Sequence, residues 1–449
     1  MFTQRKKLAV CSAGHTYSRQ IDYEDGPCEM CTKEHFIKEF GTWSSGNTSI
    51  DKIIQESQST EHRLQWIPYD KIFDIRHISS KYCDISHLSN SGYYTAELRD
   101  CYKHYWNFIK QEWKYFDTCV VLKELKDYKY DILETIKEIK NLKNLNSSYA
   151  SRFHGISKNP FTQNYIIIME SWDITFNLYG FLSGGVFLQV KWEEKIESLH
   201  QIIDGLSALH GNNLIHGNLN STNIFVDHFE PHSIHLLIDP GLFKPTNDLI
   251  LNSENNKTNN IYGSIPFIPP EVLRGENDFT KEGDIYSFGG ILYELATGSR
   301  PFTDQAHDTY LMIDICNGVR PRVPDIMLNF TPKWFLNLMY QCWDDDPSKR
   351  PTTQELNDVL LDLCNRFAYN SNDIVREFFD AEDNLEELNE SDRRKLLQSI
   401  NNFHPQSCYI SRHIFTLYEL QDSLEDIKSG KCEDPNLLSQ LKIKKNLKL

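Results

Sequence analysis

The stretch that decides the fold is 214–225, which reads LIHGNLNSTNIF. In it His216 is followed by the pair Gly217-Asn218, and Asn223 lies five positions after that pair. The amide oxygen of Asn218 can accept a hydrogen bond but is not a useful base. Asn223, by contrast, offers a hard oxygen ligand of the kind that magnesium prefers. The stretch therefore combines Asn218, a hydrogen-bond acceptor that is not a useful base, with a side-chain oxygen at Asn223 of the kind that binds hard metal ions.

The elements around this loop change in type along the chain. Strand-like runs come first, as in TCVVLKEL and NYIIIME, and long amphipathic helices follow, as in EEKIESLHQIIDGLSALH and DIYSFGGILYELATG. A strand-rich first part and a helix-rich second part predict an α+β protein with two lobes, which we assign to residues 72–368.

The composition argues against several classes of protein. The chain has 449 residues, enough for two or three units, and its formal charge is −16. No part of it concentrates Lys and Arg on one predicted face, so we expect no nucleic acid as a partner. No run approaches the roughly 18 apolar residues of a membrane span, and Arg5-Lys6-Lys7 precedes too short an apolar run for a secretory signal. The 11 cysteines, an odd number, favour reduced thiols. We therefore expect a cytoplasmic protein without a membrane partner.

A series of short motifs carries the strongest signal. Lys123 lies in VVLK and Glu138 follows fifteen residues later in IKEIKNL; then come HGNLNSTN, IDPG, PPE, GDIYSFG and CWDDDPSKRP. All seven in this order resemble a protein kinase domain. The ending YGSIPFIPPEVL and the run GDIYSFGGILYELATGSRPF are similar to the tyrosine-kinase-like group. HGN together with DPG resembles the pseudokinase domains of Janus kinases.

The resemblance implies a bilobal kinase fold, with a small β-rich lobe and a large helical lobe, and a site for ATP and magnesium. Lys123 would contact the α and β phosphates, and Glu138 would hold that lysine in position. The implied magnesium ligands are Asn223 and Asp239, and His216 belongs to the implied catalytic loop. The other residues implied to bind nucleotide are Gly92, Val121, Glu170, Trp172 and Phe225. The implied structural residues are the ion pair Glu271 and Arg350, and Asp284, whose carboxylate would hold the backbone of the catalytic loop.

Several positions depart from the kinase pattern. Asn218 replaces the catalytic base, and Gly217 removes an arginine that often pairs with a phosphorylated activation loop. Pro240 fixes its own φ and restricts the residue before it. The loop SNSGYYTAEL offers only Gly92 where three glycines are expected, so its grip on phosphate should be weaker. Val121 and Phe225 are bulkier than the kinase pattern expects at their positions. They would either fill the adenine pocket or be an ordinary strand residue and an ordinary core residue.

These departures leave three functions open. The first is a pseudokinase that binds ATP and magnesium, is catalytically impaired and acts in intracellular signalling as an allosteric or scaffolding module. The second is a weakly active protein kinase, because phosphoryl transfer depends mostly on positioning and charge. The third is an interaction module that binds no nucleotide. The protein partners and the hydroxyl type of any substrate, Ser, Thr or Tyr, stay open as well.

The two ends of the chain lie outside the kinase-like part. In residues 1–50, Cys11, His15, Cys28 and Cys31 form two close pairs that would hold one tetrahedral zinc ion, or they are unrelated thiols of an amino-terminal arm. Residues 51–71 are predicted to be a docking linker. Residues 369–449 are a charged, partly helical tail, either a solvated extension or a helix for a partner.

Overall fold

The computed structural model describes residues 7–19, 28–59, 63–77, 93–125, 132–142, 152–171, 174–182, 188–227, 234–236, 244–245, 261–369, 373–400 and 403–446. Four predicted residues lie outside the described part, namely Gly92, Trp172, Asp239 and Pro240. For Glu138 and Phe225 the backbone alone is described. The chain divides into two compact units, and among the described residues the division falls between 171 and 174.

The first unit is built on a β-sheet. Its strands are β1 (Lys7–Val10), β2 (Thr16–Arg19), β3 (Gln65–Trp66), β4 (Ile72–His77), β5 (Tyr93–Asn107), β6 (Glu112–Glu124), β7 (Phe153–Lys158) and β8 (Tyr165–Glu170). Its helices are α1 (Glu29–Lys38), α2 (Thr48–Gln58) and α3 (Ile132–Leu142). Six strands form one sheet in the order β3-β7-β8-β6-β5-β4, and β1 and β2 form a separate hairpin. The β-rich first lobe expected from the sequence is therefore present.

Strand β6 shows how the sheet positions its functional side chains. Val120 and Leu122 are buried in a core that also contains Leu98. Because successive side chains of a strand point to opposite faces, Val121 and Lys123 lie on the other face of the sheet. The pairing of β6 with the neighbouring β5 and β8 continues through both of these residues, which holds the strand in register at that point.

The predicted linker, residues 51–71, is instead part of the first unit. Its beginning lies in α2, whose amino terminus is capped by the Asn47 side chain. Gln65 and Trp66 then add β3 to the edge of the six-stranded sheet, parallel to β7. The apolar residues of DKIIQESQ are thus used to pack a helix on the lobe.

The second unit is mainly helical. Its helices are α4 (Leu178–Leu182), α5 (Trp192–Gly211), α6 (Pro270–Arg274), α7 (Lys281–Thr297), α8 (Thr309–Cys316), α9 (Lys333–Cys342), α10 (Thr353–Tyr369), α11 (Asp373–Glu386), α12 (Glu390–Ile400), α13 (Leu424–Lys428) and α14 (Pro435–Asn446). Its short strands are β9 (Ile174–Asn177), β10 (Leu214–Ile215), β11 (Ile224–Asp227), β12 (Ile234–Leu236), β13 (Lys244–Pro245), β14 (Ile261–Gly263) and β15 (Arg412–Ile414).

The two long helices expected from periodicity are both present. Helix α5 buries its apolar residues at helical spacing, and α10 packs against it. Helix α7 begins where the Thr280 side chain accepts a hydrogen bond from the Gly283 amide, and it ends at Gly298 in the left-handed region, with φ 66°. Helix α7 is buried along its length, so it forms the centre of this unit.

The carboxy-terminal tail is not a solvated extension over residues 403–441. Strand β15 pairs with β14, and the Cys408 and Ile414 side chains are buried. The Asn436 side chain is fully buried and donates a hydrogen bond to the Thr309 hydroxyl at 3.1 Å. The tail is thus an integral part of the second unit. Across the described residues, no helix combines the length and the apolarity that a membrane span requires.

Candidate functional site

The loop between β10 and β11 is held from outside by one carboxylate. Asp284, at the start of α7, is fully buried. Its Oδ2 accepts a hydrogen bond from the backbone N–H of His216 at 2.7 Å, and its Oδ1 accepts one from the N–H of Gly217 at 2.8 Å. The imidazole Nε2 of His210 lies 2.9 Å from the same Oδ2. The sequence-predicted residues His216 and Asp284 therefore meet, and the loop backbone is fixed at its first two residues.

Gly217 has the backbone conformation that this arrangement needs. Its φ is 70°, in the left-handed region that costs other residues about 1–2 kcal/mol. A glycine takes this conformation without steric strain, so its amide reaches Asp284 without backbone strain.

The asparagines of the loop bond to one another. The backbone carbonyl of Asn218 accepts hydrogen bonds from Nδ2 of Asn223 at 2.7 Å and Nδ2 of Asn220 at 2.9 Å. All three side chains are buried or nearly so. Because the Asn223 amide nitrogen is used within the loop, a metal ligand from Asn223 would be its Oδ1. The loop thus brings Asn218 and Asn223 together in a rigid polar turn.

Three further side chains support the loop and were not predicted. The Ser221 hydroxyl donates to Oε1 of Glu294 at 2.9 Å, deep in the second unit, where burial raises the pKa of Glu294 to about 7. His210 contacts Asp284 as described, and Lys281 donates to the His210 carbonyl at 2.6 Å. Lys281 and Glu294 lie far from the loop in sequence, and His210 lies in the helix that precedes it, so the pattern of the loop itself does not mark them.

Glu271 and Arg350 form a two-pronged ion pair. The Arg350 Nη1 lies 2.7 Å from Glu271 Oε1, and Nη2 lies 2.9 Å from Oε2. Both residues are buried. Arg350 also donates to the backbone carbonyls of Asp344 and Glu282, so four of its five N–H groups have partners. The pair therefore joins the start of α6 to the chain that precedes α10.

Of the residues predicted to bind nucleotide, Val121, Lys123 and Glu170 lie in the first unit, and Phe225 lies in β11 of the second. Lys123 is buried, with 4% of its surface exposed, and Val121 is buried two residues before it on β6. Glu170 ends β8, and its carboxylate lies 3.9 Å from the Arg152 guanidinium while burial raises its pKa. Helix α3, whose sequence contains Glu138, belongs to the same unit.

The cysteine and histidine residues near the amino terminus lie together. Each of Cys11, His15, Cys28 and Cys31 offers one ligand atom, and these four atoms all lie within 4.8 Å of one another. The three thiols are buried and the imidazole is half-buried. The four residues are therefore not scattered, as the alternative of unrelated thiols implied, but form one cluster.

Comparison with known proteins agrees with this architecture. A family model described as protein tyrosine and serine/threonine kinase matches residues 99–360, more than half of the chain. The chain is 29% identical over 39% of its length to receptor-interacting serine/threonine-protein kinase 4 of Mus musculus. It is 31% identical over 40% of its length to a protein kinase and PP2C-like domain-containing protein of Arabidopsis thaliana. The aligned parts span 22% and 31% of those two proteins.

Proposed function

Because the chain belongs to the protein tyrosine and serine/threonine kinase family, we propose that it is a pseudokinase that binds ATP and magnesium, is catalytically impaired and acts as an allosteric or scaffolding module in signalling. The observation that carries the proposal is the set of hydrogen bonds that holds the catalytic loop on both sides of Asn218. Asp284 holds the backbone on one side of this residue, and Asn223 and Asn220 bond to its carbonyl on the other. A loop that had lost its function would be expected to lose some of these supports.

The chemistry follows from the side chain at the position of the base. Asn218 can accept a hydrogen bond from a substrate hydroxyl and so orient it, but its amide does not take up the proton that phosphoryl transfer releases. Loss of a general base costs about 10²–10⁴ in rate. The substrate hydroxyl would still be oriented, but phosphoryl transfer would be slow.

The residues proposed to bind the nucleotide and its magnesium ion are those at the positions of the kinase motifs. Protein kinases bind the nucleotide phosphates with a lysine at the position of Lys123. A bound magnesium ion would neutralise the charge that develops on those phosphates. Asn223 offers Oδ1 for that ion, and Asp239 is its proposed second ligand. Zinc is likewise proposed for the amino-terminal cluster, as a structural ion.

Thermal melting of the full chain with ATP and magnesium tests nucleotide binding. ATP at 100 times its dissociation constant should add about 2.7 kcal/mol to the stability of the folded state. Lys123→Met should reduce the ATP-dependent shift, whereas Lys114→Met, an exposed lysine on the same strand, should leave it unchanged. Absence of any shift in the wild type at millimolar ATP would favour a nucleotide-free interaction module, for which the buried Val121 is the supporting observation.

Radiolabelled autophosphorylation separates an impaired kinase from an inert one. Asn218→Asp restores a carboxylate, and we expect it to raise phosphate incorporation by about 10²–10⁴ over the wild type. Asn218→Ala is the matched control and should not raise it. If the wild type already incorporates phosphate at a steady rate and Lys123→Met abolishes it, the chain is a weakly active kinase and the pseudokinase assignment is wrong.

A cytoplasmic location and protein partners are part of the same proposal. The motifs HGN and DPG, which resemble pseudokinase domains of Janus kinases, support a regulatory role. Affinity isolation of tagged chain from its own cells, compared between wild type and Lys123→Met, tests whether partner binding depends on the nucleotide site.

A further inference from the structure

The amino-terminal cluster combines two local structures that place ligands side by side. The hairpin turn between β1 and β2 bonds the Cys11 amide to the His15 carbonyl at 2.9 Å and the Gly14 amide to the Cys11 carbonyl at 2.9 Å. Gly14 takes a φ of 85°, which allows this tight turn. Cys28 is the residue before α1 and Cys31 lies in its first turn. The turn and the start of the helix therefore present two candidate metal ligands each.

Three of the distances between the candidate ligand atoms are close to those of a coordination shell. Zn–S bonds of about 2.3 Å and Zn–N bonds of about 2.0–2.1 Å in a tetrahedron separate two sulfurs by about 3.8 Å and a sulfur from a nitrogen by about 3.5 Å. Here Cys11 Sγ lies 3.5 Å from Cys31 Sγ, and His15 Nδ1 lies 3.4 Å from Cys31 Sγ and 3.7 Å from Cys28 Sγ. The sulfur atoms are far beyond the bond length of a disulfide.

A second observation concerns the other nitrogen of the histidine. His15 Nε2 lies 3.4 Å from the Glu34 carboxylate. Metal-binding histidines commonly donate their second N–H to a carboxylate, which leaves the first nitrogen with a lone pair directed at the metal. Three sulfurs and one nitrogen in a tetrahedron favour zinc over calcium or magnesium, which take oxygen ligands.

The cluster also contacts the first lobe. Its thiols pack with Phe108 and Trp106 at the end of the β5–β6 hairpin. The Thr32 hydroxyl accepts a hydrogen bond from the Trp106 backbone N–H at 3.0 Å, and the His35 ring stacks on the Trp106 ring with centroids 3.7 Å apart. Helix α1 is therefore seated on the hairpin through the turn that carries Cys31.

Helix α2 continues this contact to α3. Ile50, Ile53 and Ile54 of α2 share one buried cluster with Ile136 of α3. The Lys140 ammonium of α3 lies 2.7 Å from the Glu56 carboxylate of α2. Helix α3 is the helix whose sequence contains Glu138, the proposed partner of Lys123. The segment 28–58 thus links the cluster to the helix of the nucleotide site.

From these contacts we infer that Cys11, His15, Cys28 and Cys31 bind one structural zinc ion that seats segment 28–58 on the first lobe and thereby holds helix α3 in position. The zinc site stands on its own geometry, and only the relevance of helix α3 to nucleotide binding rests on the proposed function.

Metal analysis of the full chain purified in reducing buffer tests the site. We expect about one zinc ion per chain, and replacement by cobalt should give the thiolate-to-cobalt absorption of a tetrahedral sulfur site. Cys28→Ser should lower the zinc content sharply, whereas Cys119→Ser and Cys432→Ser, which alter exposed thiols, should not. The inference is overturned if the wild type contains no zinc and gives no cobalt spectrum. It is also overturned if the mass of the wild type is lower by two hydrogens because Cys11 and Cys31 have formed a disulfide.

Hydrogen exchange tests the link to α3 without depending on nucleotide. Removal of zinc by a chelator should speed exchange in 28–58 and in 132–142, and Cys28→Ser should do the same, while helix α7 in the second unit should stay protected. If zinc is present but its removal leaves 132–142 unchanged, the link is wrong and the metal site stands. If exchange changes as expected but ATP gives no melting shift, the proposed nucleotide function fails and this inference stands.

Discussion

At the scale of single residues, the catalytic loop takes its shape from side chains outside it. Asp284 is its main support, with two backbone amides and one imidazole around a fully buried carboxylate. The loop is recognisable in sequence because its polar residues and their spacing are local. Its support Glu294 lies in α7, far along the chain, and His210 lies at the end of α5 before the loop, so neither belongs to the pattern of the loop itself.

Asp284→Asn should weaken the second unit. The amide keeps an acceptor for one of the two backbone N–H groups and presents its own NH₂ to the other, so a buried donor loses its partner at a cost of about 1–3 kcal/mol. Thermal melting of the full chain measures the loss. Asp325→Asn, at a position whose side chain is 77% exposed, is the control and should change little. Equal shifts for the two variants would contradict the role of Asp284.

Glu271→Ala should have a larger effect. It leaves the Arg350 guanidinium buried without its carboxylate, and removing one partner of a buried ion pair costs about 3–5 kcal/mol. The loss is read from chemical denaturation monitored on the second unit. Glu276→Ala, which removes an exposed carboxylate five residues later, should cost far less. A similar small cost for both would show that the pair contributes little.

His307 should make stability depend on pH. Burial lowers the pKa of His307 to about 4, and the nearby Arg412 and Arg300 guanidinium groups act in the same direction. Its Nδ1 lies 3.0 Å from the Cys408 amide nitrogen and 2.8 Å from the Cys408 carbonyl oxygen, and its Nε2 lies 2.9 Å from the Phe302 carbonyl. The two carbonyls oppose the lowering of the pKa, and burial outweighs them.

The direction of the pH effect follows from proton uptake. An unfolded histidine binds its proton near pH 6.5, so between about pH 6.5 and 4 the unfolded chain holds more protons and stability falls as the pH falls. The full contribution, present above pH 6.5, is about 3 kcal/mol. Melting temperatures measured across this range should fall for the wild type and less steeply for His307→Gln. Parallel curves would exclude His307 as the cause.

At the scale of elements, the packing of α2 on α3 is where the amino-terminal segment and the first lobe become one unit. Ile54 is fully buried in this contact. Ile54→Ala should destabilise the first unit by about 2–5 kcal/mol, since it removes buried carbon and leaves a cavity. Hydrogen exchange of segment 48–58 measures it. Ile109→Ala, at a residue 59% exposed, should leave exchange there unchanged, and equal effects would count against the contact.

Elements with a clear period were predictable from sequence, and those defined by distant contacts were not. Helix α5 is identified by its apolar spacing, whereas α7 is buried on all sides over 283–297 and is recognisable by its length and apolar content. Helix α1, EMCTKEHFIK, buries Cys31, Thr32 and Phe36 in place of an aliphatic stripe, which conceals it. Strand β3 has two residues, and its place is set by pairing with β7, a contact that no short window contains.

At the scale of the whole molecule, the predicted boundary at residue 368 does not separate the kinase-like part from its tail. Charge and alternation in 369–449 suggested solvent exposure, yet 403–441 is bound through specific polar contacts. The Asp434 carboxylate accepts hydrogen bonds from both the amide and the hydroxyl of Thr309, each at 2.7 Å. Leu417 and Tyr418 donate their amides to the carbonyls of Leu273 and Arg274. Polar residues of this tail therefore form hydrogen bonds within the second unit, and composition alone does not reveal these bonds.

The pairing of β14 with β15 bears on how the chain can be divided. Ile261 to Gly263 are joined to Ile414 to Arg412 residue for residue, and Gly275 lies so close to Thr416 and Tyr418 that an added Cβ would meet them below 3.0 Å. These contacts are non-covalent and do not themselves require a continuous peptide between the two segments. A chain cleaved once near residue 402 should therefore remain a two-piece complex, and the pieces 1–402 and 403–449 produced together should assemble by complementation, each incomplete without the other.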